Sequence, residues 1–220
     1  MRYFLHFTLV TLLAFFTQGL YAQSDPQAKQ DLLALKSKYD AGKSLQADVT
    51  LEIKFAEQPA DVQTGRIQQD GDRFRVEFDQ QTVISDGKTV WMYLPDNQEV
   101  QVYDANSDDT AAGFMQPQDF LTIYENDDYE YAIVGELTES GKTYRQIEFK
   151  PTDRDSEYAK IRLTYDPSKQ EVRRVKVFAK DGSRFTLTLD SMRTGVQFED
   201  ARFSFREADY PGVMVEDMRL

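Results

Sequence analysis

Apolar and polar residues alternate with a period of two through most of this chain. Val49, Leu51, Ile53 and Phe55 are separated by Thr50, Glu52 and Lys54, and Phe74, Val76 and Phe78 by Arg75 and Glu77. The pattern recurs around Ile147 and Phe149, around Ile161, Leu163 and Tyr165, at Val175 and Val177, and at Phe185, Leu187 and Leu189. Successive side chains of a strand point to opposite faces, so each segment predicts a strand with one dry and one wet face. Asp70-Gly71, Asp86-Gly87, Ser140-Gly141 and Asp181-Gly182 fall between such segments, as does Pro95-Asp96-Asn97. These are turn sequences, and their spacing predicts about ten or eleven short strands in one antiparallel domain.

Two stretches depart from the period of two. Over residues 25–39, Asp25 and Pro26 form a helix start, and Leu32, Leu33, Leu35 and Tyr39 supply an apolar side that ends before Gly42. That predicts an N-terminal helix. Residues 107–113 are small and polar, and Pro117 then opens 118–124, with Phe120, Leu121 and Tyr124 on one side. A loop followed by a short mid-chain helix is expected there. The sheet would curl around, or be capped by, these two helices.

The first 22 residues stand apart. Arg2 precedes an apolar run that ends in Leu20-Tyr21-Ala22, the layout of a secretory signal peptide. The mature chain is then expected to start near Gln23 and to hold 220 − 22 = 198 residues in a single domain. Its net charge moves from −12 to −13 once Arg2 is removed. An acidic surface disfavours nucleic acid and anionic headgroups.

Cysteine is absent, and the one histidine, His6, lies in the leader segment. Cys–His nucleophiles, Ser-His-Asp triads, ordinary zinc sites and a lipid-attachment cysteine are all excluded for the mature chain. Asp108-Asp109 and Asp127-Asp128 read as solvated loop residues, because a glycosidase needs two carboxylates facing one cleft. Asp104, Asn106 and Asp108 fit the first positions of a calcium loop, but Asp109 and Met115 stand where glycine and glutamate are required. No metal or organic cofactor is expected, and no enzymatic activity. Trp91, the only tryptophan, reads as core or as the wall of a ligand cavity, and in a carrier whose cavity is its core the two merge.

Ser85-Asp86-Gly87-Lys88-Thr89-Val90-Trp91-Met92-Tyr93, with Pro95 and Gln98-Glu99-Val100 after it, resembles the most recognisable segment of the outer-membrane lipoprotein carrier (LolA-like) family. Gly65 and Arg73-Phe74-Arg75 upstream, Pro117 with Phe120-Leu121, and Phe203-Ser204-Phe205 followed by Pro211-Gly212-Val213-Met214-Val215 agree with it in order. The resemblance implies an unclosed, strongly curved antiparallel β-barrel with helices covering the open side. It implies a monomeric periplasmic carrier that shields the acyl chains of lipid-modified proteins. Such a carrier receives them from an inner-membrane lipoprotein-releasing ABC transporter and passes them to the outer membrane, through a separate acceptor where one exists. The family's lid-latching arginine and proline are replaced here by Asp70-Gly71.

The acyl-chain cavity is expected to be lined by Val49, Leu51, Ile53, Phe74, Val76, Phe78, Val83 and Trp91, with Phe120 and Leu121 from the mid-chain helix. Phe74 would face inward near the rim of the sheet, since charged Arg73 and Arg75 on either side would face water. Three other readings stand beside this one. A lipid- or lipoprotein-binding sensor of the same fold would not shuttle. A transmembrane β-barrel would need lipid-facing strands with aromatic girdles, which the charged strand faces do not provide. A carboxylate-based hydrolase would need a paired acidic site.

Overall fold

The computed structural model describes residues 24–105, 122–125 and 127–219. The expected leader segment, the calcium-like loop beyond Ala105 and the expected mid-chain helix up to residue 121, with Phe120 and Leu121, lie outside the described residues, whereas Ile123 and Tyr124 are described and buried.

The chain begins with helix α1, Pro26–Gly42. The Asp25 carboxylate caps it by accepting from the Gln27 and Ala28 amides at 2.8 and 3.4 Å, which satisfies donors that have no partner inside the helix. Ala28, Leu32 and Leu35 are fully buried, whereas Leu33, expected on the apolar face, is 48% exposed. One turn of a helix cannot aim adjacent residues the same way.

The strands are β1 Ser44–Lys54, β2 Asp61–Asp70, β3 Arg73–Phe78, β4 Gln81–Ser85, β5 Thr89–Leu94, β6 Glu99–Asp104, β7 Tyr129–Glu139, β8 Lys142–Pro151, β9 Tyr158–Asp166, β10 Glu171–Ala179, β11 Arg184–Thr194 and β12 Met214–Asp217. The described residues thus hold twelve strands rather than ten or eleven. They form one sheet in the order β12-β6-β5-β4-β3-β2-β1-β11-β10-β9-β8-β7. Every pair is antiparallel except β12 with β6, which is parallel. β12 and β7 are the two ends of the order and do not pair, so the sheet is unclosed. Gly71, Gly87, Gly141 and Gly182 take positive φ at the hairpin turns, as their sequence context requires.

Directly paired residues share a face, so the register defines an inner face, the one that carries α1. One row crosses it as Ile133, Ile147, Leu163, Val175, Leu187 and Leu51 on β7, β8, β9, β10, β11 and β1. Another continues as Ala47, Ile67, Val76, Val83 and Met92 on β1 to β5. The helix touches both β7 and β1. Its 17 residues span about 26 Å, close to the ~24 Å between those strands at ordinary spacing, so it crosses this half of the sheet from side to side.

Candidate functional site

Two apolar clusters occupy the inner face. Under α1, Leu32 and Leu35 pack with Ile147, Phe149, Ile161, Leu163 and Tyr165. On the other half, Leu45, Ala47, Val49, Ile67, Phe74, Val76, Val83 and Val90 form the second cluster. Tyr39 is the residue of α1 that reaches both. Its hydroxyl accepts from the Val172 amide at 3.3 Å, and burial pushes its pKa up.

A polar clasp ties the helix to the first cluster. The Asp31 carboxylate accepts from the Tyr165 hydroxyl and from Arg145 at 2.7 Å. Burial disfavours the ionised carboxyl, but these two donors outweigh it and hold the Asp31 pKa below its usual value. Burial, reinforced by the same carboxylate, pushes the Tyr165 pKa up. Lys38 adds a link from the helix to Glu171 at 2.9 Å.

The residues expected to line a cavity separate into three sets. Val49, Phe74, Val76 and Val83 come together in the second cluster and are at most 2% exposed. Phe74 therefore sits within a packed cluster and not at an open rim. Leu51, Ile53 and Phe78 lie on the same face but are half-buried. Leu51 and Ile53 pair with Leu187 and Phe185 on β11, and Phe185 with Val177 on β10, all three also half-buried. This apolar strip lies between the two clusters, toward the β1–β2 hairpin. Leu187, Phe185 and Val177 lie outside the cavity wall expected from the sequence, although their alternation is visible in it.

Trp91 is on the opposite face. It pairs with Ile84, whose neighbour Val83 points inward, so the inward residues of β5 are Val90 and Met92. The outer face here is covered by the C-terminal segment. Trp91 stacks on Phe205 at 6.4 Å between ring centroids, Phe205 on Tyr210 at 5.0 Å, and Tyr210 lies 4.7 Å from Tyr93. Arg73 and Arg75, expected to face water, instead meet this segment. Arg73 lies 5.1 Å over the Phe203 ring and pairs with Asp200, while Arg75 donates to Glu77 and Tyr210. Ile84 and Val100 are buried on this side together with Phe203 of the segment, and Val83 and Val90 are buried on the inner side, so β4 and β5 bury apolar residues on both faces.

Gly65 marks the edge of the strip. It pairs with Val49 on one side and Phe78 on the other, and a Cβ there would fall 2.5 Å from the Phe78 ring and 2.4 Å from the Glu77 carbonyl oxygen. The ring thus lies in the gap that the missing side chain leaves. A recess of about 450 Å³ beside it touches Val49, Gly65 and Phe78 but is lined mainly by polar residues, among them Asp48, Arg66, Glu77 and Asp190. Among the described residues no group of three or more candidate metal ligands occurs, and no helix is long and apolar enough to cross a membrane.

A family model described as outer membrane lipoprotein carrier protein LolA matches residues 57–206. No curated protein matches the chain. Among solved structures, an uncharacterized conserved protein from Thermus thermophilus is similar at a TM-score of 0.56 and 14% identity, over 87% of this chain and 99% of that one. The LolA superfamily protein NE2245 from Nitrosomonas europaea is similar at 0.43 and 14%, over 81% and 97%. A chain of the Pseudomonas aeruginosa MucA/MucB complex is similar at 0.39 and 15%, over 82% and 62%.

Proposed function

The chain belongs to the outer membrane lipoprotein carrier protein LolA family, and from that premise we propose that it is a periplasmic carrier that holds the acyl chains of lipid-modified proteins and moves them from the inner to the outer membrane. The observation that supports this reading best is the half-buried apolar strip of Leu51, Ile53, Phe78, Phe185 and Leu187 between two closed clusters. Apolar side chains left partly accessible on the inner face of a sheet can shield acyl methylenes. Each methylene removed from water contributes about 0.8 kcal/mol. The side chains at this strip are apolar and carry no nucleophile, so the proposed task is binding without catalysis. Its proposed partners are lipid-modified proteins, an inner-membrane lipoprotein-releasing ABC transporter and, where one exists, an outer-membrane acceptor.

Native mass spectrometry of protein purified from its own periplasm tests the proposal, with co-purifying lipoprotein the expected result. Leu51→Glu places a charge in the strip. The variant is expected to fold and be exported yet retain neither lipoprotein nor an apolar dye. Retention equal to wild type in a folded Leu51→Glu protein would overturn the assignment of the site. A lipid-binding sensor of the same fold would also lose the dye, but its lipoprotein would not transfer to outer-membrane vesicles in the wild type.

A further inference from the structure

On the outer face, behind the helix-covered half, positive charge gathers against the net charge of −12. The Phe178 ring has Lys160, Arg162 and Lys176 around it, their cationic groups 5.1, 5.6 and 5.4 Å from its centroid. The register adds two more cations, because Phe178 pairs with Arg184 and Arg184 with Lys54. All five lie opposite Ile161 and Val177, which point to the inner face.

Lys160 and Arg162 share the Glu148 carboxylate at 2.9 and 2.6 Å, whereas Lys54, Lys176 and Arg184 have no ion pair among the described residues. Like charges on neighbouring strands repel, so sheet stability does not explain their gathering. The ring offsets part of that repulsion by holding three cations over its π-system.

We propose that this outer face of β9, β10, β11 and β1 docks on the phosphate headgroups of an anionic bilayer. The array is two-dimensional. One row runs Lys160, Phe178, Arg184 and Lys54 over four strands, about 14 Å, and Arg162 and Lys176 begin the next. That second row continues through Thr186 and Glu52 to Val62, which is 58% exposed. A field of headgroups can engage both rows at once and accept the apolar Val62 at their end, whereas an extended acidic peptide would follow one line of cations. The rest of an acidic surface is repelled by the same bilayer, so attraction confined to one face also sets the orientation of approach. The inference adds a membrane contact to the carrier reading and does not depend on the inner face.

Co-sedimentation of the full chain with phosphatidylcholine vesicles, with and without phosphatidylglycerol, tests it. Binding is expected to the anionic vesicles, at least about tenfold weaker to neutral ones, and to fall as salt rises. The triple variant Lys54→Glu, Lys176→Glu, Arg184→Glu should lose it, while Leu51→Glu should bind vesicles as wild type does. Should the charge reversal disturb folding, the three Gln replacements decide the matter by the same loss. Equal binding to neutral vesicles, or undiminished binding by a folded triple variant, would overturn the proposal. So would a chain that ignores anionic vesicles and binds a polyglutamate peptide through the same residues. Dye retention, measured in parallel, reports on the inner face alone and keeps failure of the carrier reading distinct.

Discussion

The two halves of the sheet are covered on opposite faces. Strands β7 to β10 carry α1 on their inner face and present charged residues outward. Strands β2 to β6 carry the C-terminal segment on their outer face, while their inner face is built from their own side chains. Covering a half on its outer side stabilises it without occupying the inner face. Covering the other half with a clasped helix removes its inner face from competition. The strip at Leu51, Ile53, Leu187 and Phe185 lies where neither cover reaches fully, and its side chains stay half-buried there.

The sharpest way to break this contrast is truncation inside and outside the helix-covered cluster. Phe149→Ala removes a side chain 1% exposed under α1 and is expected to cost about 3–5 kcal/mol in urea unfolding. Phe74→Ala should cost a similar amount, since Phe74 is 2% exposed in the second cluster. Leu51→Ala should fall near or below about 2 kcal/mol, the low end for such truncations, because fewer atoms pack around it. Equal costs at Leu51 and Phe149 would mean that the strip is ordinary core.

The clasp comes next. Asp31→Asn weakens two hydrogen bonds to a charged acceptor and should cost about 1.5–3 kcal/mol. The folded Asp31 pKa is lowered, so its contribution is present above the unfolded value and is lost as pH falls through the folded one. Asp31→Asn should therefore flatten the acid limb of a stability–pH profile, measured by thermal melts below about pH 5. An unchanged acid limb would show that the Asp31 clasp contributes nothing to holding the helix.

Gly65→Ala tests the other half. Its Cβ would meet the Phe78 ring and the Glu77 carbonyl oxygen, so the β2–β3 pair must open, at roughly 1–3 kcal/mol. Displacement of Phe78 should change dye affinity as well as stability, whereas Asp31→Asn should change stability with less effect on dye. The smallest expected effect is at Asp25→Ala. This loses the helix cap and the 3.2 Å bond from the Ile133 amide on edge strand β7, at about 1 kcal/mol. Amide exchange confined to the start of α1 and to β7 would check it.

Much of this was legible without coordinates. Where apolar residues alternate with polar or charged ones, alternation identifies the inward side: Val49, Leu51 and Ile53 on β1, Phe74, Val76 and Phe78 on β3, and Ile161, Leu163 and Tyr165 on β9 all point inward as expected. The helix start at Asp25 and the glycine turns were equally local, because a cap or a positive φ depends on a few neighbouring residues. β2 was obscure since Gly65 and its glutamines leave few apolar positions to count.

Tertiary structure alone decided the rest. In Val83-Ile84 and in Val90-Trp91-Met92-Tyr93 both strand faces are dry, so alternation carries no sign. Only the C-terminal segment, more than a hundred residues later in the chain, determines that Trp91 belongs outside. The burial of Phe74 depends likewise on partners from β1, β4 and β5. The cations around Phe178 look like the wet positions of four separate strands. Register alone, by stacking those strands at a fixed offset, turns scattered surface charge into a single field.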